Sequence, residues 1–127
     1  MHKPQTAYEF GCGDARFTCA AANLGAMAVG FEVFLLPYLL AQLRRLFQKN
    51  KQLISIRFRD FWMVNLREAD VVYFWLTPKI NNKLRDKFES ELRPGTKVVC
   101  YVWPVAGWIP EQINERPSHP KVFLYRR

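Results

Sequence analysis

The chain is poor in residues that do chemistry by themselves. It holds two histidines and three cysteines, and neither a CxxC nor an HxxxH spacing occurs, so no metal site is expected. Three cysteines cannot all pair within one chain, and residues 1–6 lack the apolar run of a secretory leader, so a reducing, cytoplasmic setting is the expectation. Long hydrophobic runs are missing too. The longest, over residues 33–43, is broken by Pro37 and Gln42 and falls well short of the ~20 residues that cross a bilayer, so no transmembrane anchor is expected. No GxxxxGK followed by Ser or Thr is present, which excludes a phosphate-binding P-loop. Acid is absent between Val33 and Arg59, where Arg44, Arg45, Lys49, Lys51, Arg57 and Arg59 stand alone. That run is either a solvated helix end and loop or a patch for RNA or another anionic surface.

What is present is the composition of one globular domain spanning 1–127. Half of the 127 residues are hydrophobic, 15% aromatic and 24% charged, enough apolar side chain for one core. The net charge of +8 favours anionic partners. No internal repeat, low-complexity tract or linker interrupts the chain. A short apolar segment at 7–10 reads as a strand and runs into Gly11 and Gly13. Phe17, Ala20, Ala21 and Leu24 recur at helical spacing before a stop at Gly25, so 16–24 reads as an amphipathic helix. A second strand follows at 28–32, then a helix with Pro37 in its first turn and Leu36, Leu40, Leu43 and Phe47 on one face, ending near Asn50. Strands are expected at 53–58, 71–76 and 97–102, with a helix marked by Ile80, Leu84 and Phe88 and closed by Pro94 and Gly95. A Pro- and Gly-bearing loop over 104–120 and a last strand at 122–125 complete the chain. Strands alternating with helices imply an α/β architecture with a mostly parallel sheet covered on both faces.

In such a sheet the ligand binds beyond the carboxyl ends of the strands. The turn there reads Glu9, Phe10, Gly11, Cys12, Gly13, Asp14, Ala15, Arg16. A dinucleotide fingerprint, GxGxxG, would need glycine where Arg16 stands, which weighs against NAD or FAD. The run EFGCGDAR instead resembles motif I of the class I S-adenosylmethionine methyltransferases, an acidic residue before a GxGxG turn, with Ala15 in place of the third glycine. The resemblance implies a Rossmann-like fold, mostly parallel, with an antiparallel C-terminal strand. Few residues precede the first strand, so the family's N-terminal helix is expected to be missing or shortened. S-adenosylmethionine is the implied cofactor. Glu9, Gly11, Cys12 and Gly13 are placed at its methionine end, and Glu32 at the end of the second strand takes the ribose hydroxyls. Asp60 takes the adenine amino group, and Val33 and Phe61 stand beside these two acids.

The second half, ADVVYFWLTPKINNKL, ELRPGTKVVCYVWPVAGWIP and the terminal VFLYRR, resembles small archaeal and bacterial protein-lysine methyltransferases and their mitochondrial relatives. That resemblance implies a protein lysine as acceptor, with Tyr73, Thr77, Pro78, Trp103 and Trp108 shaping its channel. Methyl transfer is an in-line displacement that needs alignment and exclusion of water, with no catalytic triad. Leu76-Thr77-Pro78-Lys79 stands where base-amine methylases carry Asn or Asp, two prolines and an aromatic, which disfavours an adenine or glutamine acceptor. An RNA or small-metabolite acceptor, and a noncatalytic binding module that keeps the fold, are the competing readings. Cys12, Cys19 and Cys100 are expected to serve packing.

Overall fold

Strand β1, Thr6–Phe10, runs into the glycine turn and then helix α1, Arg16–Asn23. The computed structural model describes residues 4–13 and 15–127. Residues 1–3, read above for a leader, and Asp14 of the turn lie outside the described residues. The chain divides into two units, Met1–Val64 and Asn65–Arg127.

In the first unit, strand β2, Met27–Glu32, is followed by helix α2, Leu35–Leu46, and strand β3, Ile54–Phe58. The three strands are parallel in the order β3-β2-β1, with Glu9 opposite Gly30 and Glu32 opposite Phe58. Their carboxyl ends therefore share one edge, where the glycine turn, Val33 and Arg59-Asp60 emerge. One face of this layer carries Tyr8, Phe10 and Phe31 in edge and tilted ring contacts. The other is a core of small side chains, in which Ala15, Cys19, Ala22 and Ala41 pack on Ala28, Ile54 and Ile56. Small residues let two helices lie close to the strands.

That core corrects the expected helix faces. In α1 the buried residues are Thr18, Cys19 and Ala22, while Leu24 is 91% exposed. In α2 only Ala41 is buried, and Leu36, Leu40, Leu43 and Phe47 point to solvent. The spacing was right, but the side turned inward is the small one. Helix α2 also stops at Leu46 rather than near Asn50, because a separate turn of 3-10 helix, Lys51–Leu53, leads into β3. Gly25, at φ 94°, ends α1 as expected, its N–H bonding Ala22 O.

The second unit contains strand β4, Val71–Phe74, helix α3, Pro78–Glu91, and strand β5, Lys97–Tyr101. Strand β7, Val122–Arg126, pairs antiparallel with β5, and strand β6, Gln112–Asn114, pairs antiparallel with β7, giving the order β4-β5-β7-β6. Phe74, Leu84, Phe88, Val98, Cys100 and Tyr125 form its core. Strand β6 lies inside the segment expected to be a loop. All three of its residues are exposed, so no apolar alternation announced it. Strand β4 ends two positions before the expected Leu76, and β5 ends before Val102, whose φ of 76° no regular strand tolerates. The seven strands thus make a mostly parallel α/β fold with antiparallel strands at its C-terminal end.

Candidate active site

The turn after β1 is a succession of left-handed residues. Gly11, Gly13 and Ala15 have φ of 62°, 55° and 65°. Glycine enters this region freely, whereas for a residue with a Cβ it costs about 1–2 kcal/mol. The third position of the motif thus keeps the glycine conformation with an alanine in it. Ala15 is fully buried, and its N–H closes the turn on Cys12 O at 2.8 Å. Cys12 in turn donates its N–H to Phe31 O at 2.9 Å, which fastens the turn to β2.

Glu32 is the centre of this edge. It is 6% exposed, and its carboxylate is held entirely by backbone: Oε1 accepts from Gly13 N at 3.0 Å, and Oε2 from Val33 N at 2.9 Å and Phe34 N at 3.2 Å. One acid thereby joins the glycine turn to the β2–α2 turn across 19 residues of sequence. A carboxylate has about four acceptor positions, so Oε1 keeps capacity for a hydroxyl donor.

Glu9 is also buried, but its Oε1 is engaged with α1, accepting from Thr18 N at 3.1 Å and Thr18 Oγ1 at 2.6 Å. It therefore holds the helix start against β1. Thr18 and Gly30 were missed by sequence reasoning. A Cβ on Gly30 would stand 2.9 Å from both Cys12 Cβ and Thr18 Oγ1, so this strand position is glycine because the turn and helix lie directly on it. A lone glycine within a strand was the available signal.

Asp60 is exposed and caps a single 3-10 turn, Phe61–Met63, its Oδ1 accepting from Trp62 N at 3.0 Å. Phe61 stacks on Phe10 with centroids 4.6 Å apart and planes 11° from parallel. Arg59 N donates to Glu32 O at 3.0 Å, which ties the start of this segment to the end of β2. Val33 is 47% exposed at the same edge. Glu32, Val33 and the glycine turn are thus bonded together, with Asp60 and Phe61 anchored beside them through Arg59 and Phe10.

These residues fit a nucleoside joined to an amino acid. A Cβ built on Gly13 meets nothing within 4 Å, so space is open beside the turn. The buried carboxylate offers acceptors suited to vicinal hydroxyls, and exposed Val33 is an apolar contact for a flat base. Among the described residues no group of three His, Cys, Asp or Glu is arranged to hold a metal.

In the second unit, Tyr73 is half-buried on β4, Thr77 is the exposed N-cap of α3, and Pro78 is its first residue. Trp103 follows β5 and is 45% exposed. Asn81 brings the last three together: its Nδ2 donates to Trp103 O at 3.0 Å and Pro104 O at 3.4 Å, binding the first turn of α3 to the segment after β5. Asn81 is 1% exposed, and its Oδ1 has no hydrogen-bond partner among the described residues. Nothing in the sequence marked it. Trp108 stands apart from this group. It packs on Phe88 and Tyr125 at 5.9 and 5.5 Å between centroids and donates Nε1 to Glu89 at 3.2 Å, which makes it a half-buried ring covering the edge of that core. The three cysteines are buried thiols. Burial pushes the Cys100 thiol up to about 12, which keeps it protonated at neutral pH.

Comparison with known proteins places this geometry. The model of the ANTKMT methyltransferase domain matches residues 9–112. A protein-lysine N-methyltransferase of Saccharolobus islandicus (strain REY15A) is 32% identical over 125 residues, covering 93% of this chain and 76% of the relative. The adenine nucleotide translocase lysine N-methyltransferase of Mus musculus is 32% identical over 111 residues, covering 85% of this chain; the chain spans 48% of that relative's length. Among solved structures, an RNA methyltransferase from Salinibacter ruber in complex with S-adenosyl-L-homocysteine superposes with a TM-score of 0.91 at 28% identity, over 96% of this chain and 80% of the other.

Proposed function

The chain belongs to the ANTKMT methyltransferase domain family, and from this we propose that it transfers a methyl group from S-adenosylmethionine to the side-chain amine of a protein lysine. The observation that carries the reading is the buried Glu32 carboxylate, bonded to Gly13 of the glycine turn and to the start of the β2–α2 turn. When bound, S-adenosylmethionine supplies an electrophilic methyl group on a sulfonium. Glu32 would receive the ribose hydroxyls and Asp60 the adenine amino group, with Val33 and Phe61 available to the base. Gly11, Cys12 and Gly13 leave room for the methionine portion, and Glu9 keeps that turn in place through Thr18.

On the acceptor side we assign Tyr73, Thr77, Pro78 and Trp103, with Asn81 positioning Trp103. A lysine amine has a pKa near ~10.4 in water and must arrive unprotonated, which a dry channel favours. Transfer would form the N–C bond as the S–C bond breaks, and since the one proton released has left before transfer, the product is a methylated ammonium that keeps its charge in water. The residues' task is to align the two partners and exclude water. The names of the archaeal and mouse relatives support lysine as the acceptor. Three cysteines cannot all pair within one chain, which suits a reducing compartment, and we place the activity in the cytoplasm.

The test is incubation of the purified protein with methyl-labelled S-adenosylmethionine and a cell extract lacking the gene, followed by separation of protein from RNA and peptide sequencing by mass spectrometry. Label on lysine side chains is the expected result. Label confined to RNA or small molecules overturns the acceptor assignment, and failure of the folded protein to bind the cofactor overturns the reading altogether.

A further inference from the structure

Helix α2 presents its apolar side to water. Leu36, Leu39, Leu40, Leu43, Leu46 and Phe47 lie on one helical face, and each is at least 50% exposed. The helix is nevertheless firmly seated by its opposite side. Ala41 is buried, Gln42 Nε2 donates to Ile56 O at 3.1 Å, and Arg45 Nε donates to Ile54 O at 2.6 Å, both on β3. Polar and small residues face the protein, leucines face out, and an open groove lined by Leu40, Leu43, Arg44, Phe47 and Gln48 runs along the outer side. A soluble surface rarely leaves so continuous an apolar strip without a partner.

The charge around the strip identifies that partner. From Val33 to Arg59 there are six basic residues and no acidic one; Arg45 is turned onto β3, while Lys49 and Lys51 are exposed just beyond the last turn of α2. We propose that α2 is an interfacial docking helix that lays its leucine face into the headgroup region of a bilayer containing anionic lipid. Leucines on one side with lysine and arginine at the border are the composition of helices that lie in a membrane interface, and the negative surface of a cytoplasmic leaflet attracts such a border. Twelve residues make a helix of about 18 Å, too short to cross the ~30 Å hydrocarbon layer, so the helix lies along the surface. A second copy of the chain would cover the leucines but gives the exposed Lys49 and Lys51 no opposite charge to meet, whereas an anionic surface does.

The experiment is flotation of the purified full chain with vesicles of phosphatidylcholine containing one-third phosphatidylglycerol, beside vesicles of phosphatidylcholine alone. Wild type is expected to float with the anionic vesicles and at least ~10-fold less with the neutral ones. The pair Leu40→Glu with Leu43→Glu, and separately the pair Lys49→Gln with Lys51→Gln, should each weaken binding by roughly 10-fold or more. All of these side chains but Lys49 and Lys51 are apolar and all are exposed, so circular dichroism should show unchanged folding. Undiminished flotation of the leucine pair overturns insertion. So does a wild-type chain that ignores both vesicles, whether monomeric or self-associated in sedimentation. Displacement by polyuridylate, with the leucine pair behaving as wild type, assigns the surface to nucleic acid instead.

Discussion

Replacing Glu32 by Gln changes one charge and almost no volume, and its consequences divide into two measurable parts. The carboxylate accepts three backbone N–H groups at 2.9 to 3.2 Å. A glutamine can point its oxygen at Val33 and Phe34 or at Gly13, and its NH2 then faces a donor on the other side. At least one charge-assisted bond is lost and one buried N–H is left without an acceptor, a cost of about 2–3 kcal/mol. For a chain of 127 residues that corresponds to a Tm lower by roughly 10 °C. A turn clamp alone predicts this and nothing more. If Glu32 also receives the ribose, S-adenosylhomocysteine should bind the variant about 10- to 100-fold more weakly, since each hydroxyl–carboxylate bond contributes ~1.5–3 kcal/mol. The two roles separate in a double-mutant cycle, with wild type and Glu32→Gln each titrated calorimetrically with S-adenosylhomocysteine and its 2′-deoxy analogue. A coupling of about 1.5 kcal/mol or more is expected. A coupling within ~0.5 kcal/mol of zero would refute the ribose assignment, however unstable the variant proved.

Three further outcomes follow from the same packing. Ala15→Gly should leave Tm nearly unchanged, because relief of ~1–2 kcal/mol of left-handed strain offsets the lost buried methyl and the added chain entropy. The same change at Ala41, equally buried but in an unstrained helix, should cost about 2 kcal/mol in a denaturant titration, and equal costs at the two sites would contradict the strain at Ala15. Gly30→Ala forces a Cβ to 2.9 Å from Cys12 and Thr18 and should destabilise by about 1–3 kcal/mol while loosening cofactor binding by calorimetry, an idea abandoned if both stay within error of wild type. Cys100, raised to about 12 by burial, contributes stability that is complete below the unfolded thiol's pKa near ~8.5 and lost as pH climbs toward the folded value, at up to ~1.4 kcal/mol per pH unit. Cys100→Ala should therefore flatten the alkaline fall in Tm, leaving the part due to Tyr125, whose phenol is raised by burial against the opposing pull of its bond from Val105 N.

The strand ends were legible because they depend on local pattern. An apolar run followed by glycines can do little but turn, and the acids at Glu9, Glu32 and Asp60 stand at the carboxyl ends of β1, β2 and β3 where parallel order requires ligands to bind. What each acid touches was not legible, since the Glu9–Thr18 bond and the Glu32–Gly13 bond join residues 9 and 19 apart whose meeting needs the folded layer. Asn81 was invisible for the same reason. Its role is defined by two carbonyls 22 and 23 residues away, and an asparagine early in a helix carries no signal for such a bridge. Strand β6 escaped because every side chain on it meets water.

The helix faces show how a correct period can be read with the wrong phase. In α1 and α2 the largest apolar residues recur at helical spacing, and burial of the largest side chains is the ordinary inference. Here the space between helix and strand is filled instead by Ala15, Cys19, Ala22 and Ala41 against Ala28. Gly30 explains the closeness: with no Cβ there, the turn and Thr18 settle onto β2, and Glu9 secures Thr18 in that position. A helix drawn in so tightly has no room for leucine beneath it. The tight packing that draws α1 and the glycine turn onto β2 beside Glu32 is thus centred on one glycine, so Gly30→Ala should disturb the cofactor turn and the start of α1 together.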